Sequence, residues 1–223
     1  MASMPAWIVS QFGKPTGPLG HLAGLIMSAR ASNRLRSRAT VDLLDVRPGQ
    51  RVLEIGFGPG LAVELLAERV GGGQVVGVDH SEAMLGQATR RNARAIRDGR
   101  VRLILGSAEA LPASEAPFDR IVAVNVFMFW EDPAAVLARI RSHLAPDGVL
   151  ALTLQPRRPG ATADDTRAAA ARMVAALGSA GFGPPRVEIL DLPPVPAACV
   201  LAGRGAGLAV VPHQPLGDGH RLG

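Results

Sequence analysis

Val52-Leu53-Glu54-Ile55-Gly56-Phe57-Gly58-Pro59-Gly60 decides the reading of this chain. A short apolar run carries an acidic residue near its end, and three glycines alternate after it. The segment 61–70 that follows reads as a helix. A buried strand, a tight turn and a helix start in this order make a crevice against which a nucleoside-bearing cofactor can lie. Glycine has no Cβ to hold such a cofactor away, and a helix start presents free N–H groups.

Outward from this loop, strand and helix signals alternate. Arg51–Ile55 is the first predicted strand and Gln74–Asp79 the second, with Gly71-Gly72-Gly73 between the helix and the second strand. Ser81 is a good N-cap for a helix running to about residue 97, where Asp98-Gly99 stops it. Val101–Leu105 and Phe118–Val124 are the third and fourth strands. Asp132-Pro133 opens a helix to about residue 144, with the proline suited to the first helical position. Pro146-Asp147-Gly148 turns the chain into a fifth strand over 149–154. A helix over 164–179 precedes two last strands, 186–192 and 198–203. No helix separates those two, so they form a hairpin. The expected architecture is α/β, a mostly parallel sheet with helices on both faces and one C-terminal antiparallel strand.

The ends read differently. Residues 1–44 form an expected N-terminal helical lid, with a turn-rich break at 13–18 and a helix after it. Residues 45–211 form the main domain, and 212–223 lack apolar periodicity and read as a disordered tail.

Composition narrows the class. The chain has 223 residues, 48% of them hydrophobic. That length builds one domain with a sizeable core. Cys199 is the only cysteine, so neither an internal disulfide nor a cysteine metal cluster is available. No secretory leader and no membrane-length apolar run is present, which points to the cytoplasm. Net charge is +5, and Lys14 is the only lysine among 24 basic residues. Arg30, Arg34, Arg36 and Arg38, and then Arg90, Arg91, Arg94 and Arg97, fall at helical spacings that read as solvated faces. Nucleic-acid binding is not expected from them.

Four separated motifs in order make the chain resemble the class I S-adenosylmethionine-dependent methyltransferases. The likeness is closest to the small-molecule branch typified by ubiquinone and menaquinone methyltransferases. It covers about residues 47–204 and implies a Rossmann-like methyltransferase sheet with S-adenosylmethionine as cofactor and S-adenosylhomocysteine as product. In the first motif the resemblance places Gly56, Phe57, Gly58 and Gly60 beside the cofactor, with Glu54 near its ammonium. In the second, Gly77 to Leu85, Asp79 would take both ribose hydroxyls, and His80 and Met84 would flank the adenine. The third, Leu105 to Pro112, has Ser107 where the family usually has an aspartate toward the adenine amino group. Ala108 and Glu109 follow it as further contacts. The fourth, Phe118 to Trp130, puts Asn125 under the sulfonium end.

The implied reaction is methyl transfer to a small, largely apolar acceptor such as a specialised metabolite, quinone or lipid-like molecule. Phe127, Phe129 and Trp130 are candidate walls of its pocket, with His21 reaching over from the lid. No dedicated base stands out: His143 ends a helix, where it complements the helix dipole. A non-methylating relative that keeps the cofactor for a cyclisation, or as a binding partner, is the alternative. An NAD-dependent dehydrogenase is disfavoured, because Leu61-Ala62 stands where its fingerprint needs a further glycine. The oligomeric state stays open, a homodimer included.

Overall fold

The computed structural model describes residues 19–111 and 115–205, with side chains described from residue 31 onward. The expected lid before residue 19, the side chain of His21 and the expected tail 212–223 lie outside the described residues.

Seven strands form one sheet: β1 (Arg51–Ile55), β2 (Gln74–Asp79), β3 (Val101–Leu105), β4 (Phe118–Val124), β5 (Leu144–Leu154), β6 (Arg186–Leu190) and β7 (Ala197–Gly203). Their spatial order is β3-β2-β1-β4-β5-β7-β6. The first five run parallel, and β7 runs antiparallel to both neighbours. Leu53 of β1 stands opposite Val76 of β2 and Ile121 of β4. Strands this apolar are what a sheet covered on both faces requires.

The two faces carry separate cores. On one, α1 (Leu19–Leu43), α2 (Leu61–Arg69), α3 (Glu82–Arg91) and α4 (Ala93–Arg97) lie over Val52, Val75, Val101 and Val122. On the other, α5 (Pro133–His143) and α6 (Ala163–Ser179) lie over Leu53, Val76, Ile121 and Leu152. Each of three helix starts is chemically marked. Ser81 and Asp132 accept hydrogen bonds from the N–H groups of Met84 and Ala135. Thr162 and Asp165 form a capping box at the start of α6.

Three elements depart from expectation, each for a local reason. The single helix over 81–97 is broken at Asn92. The buried Asn92 side chain donates to the carbonyls of Ala88 (2.9 Å) and Gly60 (3.2 Å). It thereby competes with the helix backbone and ties the glycine loop to α3. The fifth strand starts at Leu144, directly after α5, instead of at 149. Leu144 pairs with Phe118, residues 145–148 loop out, and pairing resumes at Val149 opposite Arg120. A Cβ at Gly148 would sit 2.9 Å from the Ala145 carbonyl oxygen, so only glycine fits that excursion. The sixth strand ends at Leu190, two residues early, because the segment after it turns to cap the end of β5.

The last described turns of α1 carry a polar stripe inward. Ser32, Arg36 and Thr40 are all buried. Thr40 meets Thr153 of β5 at 2.8 Å through their hydroxyls. This corrects one sequence reading. Arg34 and Arg38 are exposed as expected, but Arg36 is only 3% exposed. The second arginine cluster, Arg90, Arg91, Arg94 and Arg97, does face solvent.

Candidate active site at the carboxyl edge of the sheet

Strands β1 to β5 end side by side at one edge of the sheet, and a crevice of about 740 Å³ opens there. The glycine loop forms its floor. Gly56, Gly58 and Gly60 all have positive φ, at 71°, 51° and 79°. Gly56 donates to the Val78 carbonyl of β2 at 2.7 Å, which fixes where the turn begins. Gly58 donates to Asp79 Oδ2 at 2.8 Å. Gly60 lies behind the loop, away from the crevice. A Cβ there would come within 2.8–2.9 Å of Ala88, so this glycine lets the loop pack on α3. Phe57 lines the crevice with one side and packs into the core with the other. Its ring fits because Gly77 of β2 has no side chain: a Cβ there would be 2.8 Å from Phe57 Cδ1.

Asp79, at the tip of β2, is 7% exposed. Its Oδ1 accepts from the Ser81 N–H at 2.9 Å while Oδ2 holds Gly58. Each carboxylate oxygen has room for a second donor, so the group can hold the loop and still accept two hydroxyls. His80 and Met84 stand beside it, the imidazole 84% exposed. Ser107, Ala108 and Glu109 line the crevice beyond β3.

Glu54 is 3% exposed, and its Oε2 has no partner among the described residues. Burial, and next the charge of Asp79, push its carboxyl well above the ordinary range. A hydrogen bond from the Val63 backbone N–H pulls the other way. An acid whose folded value is raised destabilises the fold as pH rises from its unfolded value, 4.5, up through the raised value. Glu54→Gln is therefore expected to gain thermal stability relative to the parent with increasing pH above 4.5, with no such trend below it. A ligand ammonium would favour the ionised form, so the same variant should bind a cationic amine ligand about tenfold or more weakly. Melting curves across pH and calorimetric titration check both halves. A stability difference flat with pH would contradict the assignment.

Asn125 follows β4 with a positive φ of 57°. Its Oδ1 accepts from the Gln155 N–H at 2.8 Å, and its buried Nδ2 has no partner among the described residues. The short helical turn Phe127–Phe129 then sends neighbouring aromatics different ways. Phe129 is 71% exposed at the crevice mouth, and Trp130 lines the wall. Phe127 does not line the crevice. It is buried in the core with its ring edge-on to Trp130, centroids 5.6 Å apart. His143 is buried at the end of α5, next to the start of β5 at the opposite edge of the sheet, with Nδ1 2.9 Å from the Arg139 carbonyl.

The sequence reading missed Asn33, Arg36 and Arg157, which also line the crevice. Gln155, directly after β5, positions Arg36. Its Nε2 donates to the carbonyl oxygens of Leu192, Pro193 and Val195, which fixes the amide so that Oε1 faces Arg36 Nη1 at 2.5 Å. The available signal was the four-residue spacing Ser32, Arg36, Thr40, a polar stripe on one helix face.

Comparison with known proteins bears on the family and the fold. The family described as "Methyltransferase domain" matches residues 52–148. The methyltransferase YdaC of Bacillus subtilis (strain 168) is 32% identical over 185 residues, covering 83% of this chain and 99% of that protein. Demethylmenaquinone methyltransferase of Thermus thermophilus is 33% identical over 199 residues, covering 86% and 89%. Among solved structures, magnesium protoporphyrin IX methyltransferase (ChlM) from Synechocystis PCC 6803 with bound SAM superposes with a TM-score of 0.63 at 18% identity, covering 87% and 88%. Among the described residues, no helix is long and apolar enough to cross a membrane.

Proposed function

The chain belongs to the class I S-adenosylmethionine-dependent methyltransferases, and from that premise we propose that it methylates a small molecule whose body is largely apolar. The cofactor supplies a methyl group on a sulfonium, already a strong electrophile. The protein's part is to hold the two reactants in line, which can supply roughly 7–11 kcal/mol of the barrier.

One observation carries the reading. Two residues that line the crevice, Glu54 and Asn125, each carry a buried polar atom, Oε2 and Nδ2, without a partner among the described residues. Orphaned buried polar groups are costly, and here they lie together where a polar ligand would satisfy them. A ligand with an ammonium, a ribose and a nucleobase matches the order of groups along the edge. Glu54 would take the ammonium, Asp79 the ribose hydroxyls, and Ser107 and Ala108 the base, with His80 and Met84 beside the ring. Gly56 and Gly58 let the backbone approach. Asn125 would face the sulfonium end. Val126, Phe129 and Trp130 give the acceptor an apolar wall.

Incubation of the protein with S-adenosylmethionine and an extract of the source cell, followed by mass spectrometry, tests the proposal. The expected result is S-adenosylhomocysteine together with a product one methyl heavier than its precursor. A product of unchanged methyl count, with the cofactor intact, would favour the non-methylating alternative.

A further inference from the structure

Among the described residues, Arg36 is a cation without an anion. It is 3% exposed, and its two Nη atoms donate only to neutral oxygens, Gln155 Oε1 at 2.5 Å and Asn33 Oδ1 at 2.6 Å. Its Nε donates to nothing among the described residues. The same Asn33 oxygen also accepts from Arg157 Nη2. Two guanidinium groups thus converge on one neutral amide oxygen, and among the described residues neither is paired with a carboxylate. Burial, and next the charge of Arg157, push the Arg36 guanidinium down to about 10, while burial lowers that of Arg157. Bringing like charges together around a buried group is unfavourable unless a counter-charge arrives.

No lining carboxylate supplies that counter-charge. Asp79 is engaged at β2, three strand spacings from β5 and so roughly 14 Å away across the sheet edge. Burial drives Glu54 toward its neutral form. Glu109 is exposed beyond β3, farther still. The cofactor does not balance the site either. Its sulfonium and ammonium outnumber its single carboxylate, so a bound cofactor leaves the crevice with surplus positive charge.

We infer that Arg36, Asn33 and Arg157 form an anion subsite at the β5 end of the crevice, and that the methyl acceptor is an apolar molecule bearing a carboxylate. The subsite is built: Gln155 is anchored by three backbone carbonyls and holds the Arg36 head, and Ser32 Oγ braces the same Gln155 oxygen at 3.1 Å. Arginine forks match carboxylate geometry with two parallel donors. The inference rests on the methyl-transfer reading and refines its acceptor.

The test splits the source-cell extract by anion exchange into anionic and uncharged fractions, and offers each with methyl-labelled S-adenosylmethionine. Label is expected in a product of the anionic fraction. Once that acceptor is isolated, Arg157→Gln should raise its KM about tenfold or more with little change in kcat. Arg36→Lys, which keeps the charge and loses the fork, should do the same. In parallel, S-adenosylhomocysteine and 5′-methylthioadenosine, which lacks the amino-acid end, are titrated into each variant. Both affinities should stay within about twofold of the parent. Label confined to the uncharged fraction would overturn the inference. So would a tenfold loss of S-adenosylhomocysteine affinity in both variants with 5′-methylthioadenosine unaffected, because the arginines would then hold the cofactor's own carboxylate. No labelled product in any fraction would refute methyl transfer itself, and the acceptor charge with it.

Discussion

Asp79→Ala is expected to weaken S-adenosylhomocysteine binding by at least about 100-fold, since two charge-assisted hydrogen bonds to the ribose at about 1.5–3 kcal/mol each are lost together. The substitution also releases the N–H groups of Gly58 and Ser81, which the carboxylate now holds at 2.8 and 2.9 Å. Loop and sugar site should therefore fail as a unit. Asp79→Asn separates the two roles. It keeps one acceptor oxygen, so affinity should fall to an intermediate value. Calorimetric titration of the three proteins checks the order. Equal affinities for Asp79→Ala and the parent would remove the sugar site from the carboxylate.

Gly56→Ala should be clearly more damaging than Gly58→Ala in the same loop. The Gly56 φ of 71° disfavours any side chain, and a Cβ there would overlap Val126 Cγ1. Left-handed backbone costs about 1–2 kcal/mol for an L residue. Overpacking adds about 1–3 kcal/mol. Gly58→Ala is the internal control. Its φ is also positive, at 51°, but nothing lies within 4 Å of the added Cβ. It should show only the backbone cost. Expected losses of melting temperature are roughly 5–15 °C for Gly56→Ala and about 2–6 °C for Gly58→Ala. Thermal unfolding by circular dichroism measures both. Equal losses would mean that the Val126 contact does not constrain the turn.

The sheet was legible because its signals are local. Each strand from β1 to β4 is a short apolar run bounded by turn residues, and the glycine loop announces its own geometry. Asp79 follows from its place at a strand tip. The places where the reading failed are those where a distant partner decides. Arg36 looks like part of an exposed basic face until Gln155, 119 residues later, draws it inward. Asn92 reads as mid-helix until the Gly60 carbonyl, 32 residues away, takes its side chain. The early start of β5 depends on Phe118 as a pairing partner, which no helix-stop signal encodes. Phe127 and Phe129 are indistinguishable by composition. The one-turn helix between Val126 and Trp130 sends the first into the core and the second to the mouth.

The acceptor reading changed most. Aromatic residues after the fourth strand suggested an apolar partner, and the crevice wall keeps that feature. The polar stripe of α1 adds a charged end that no apolar count reveals.

A crystal structure of the chain grown with saturating S-adenosylhomocysteine tests the central claim most directly. The account predicts the nucleoside across the carboxyl edge of the sheet, both ribose hydroxyls within hydrogen-bond distance of Asp79, and the ammonium within reach of Glu54 Oε2. Density for the nucleoside anywhere else, or an empty crevice beside an occupied second site, would contradict it.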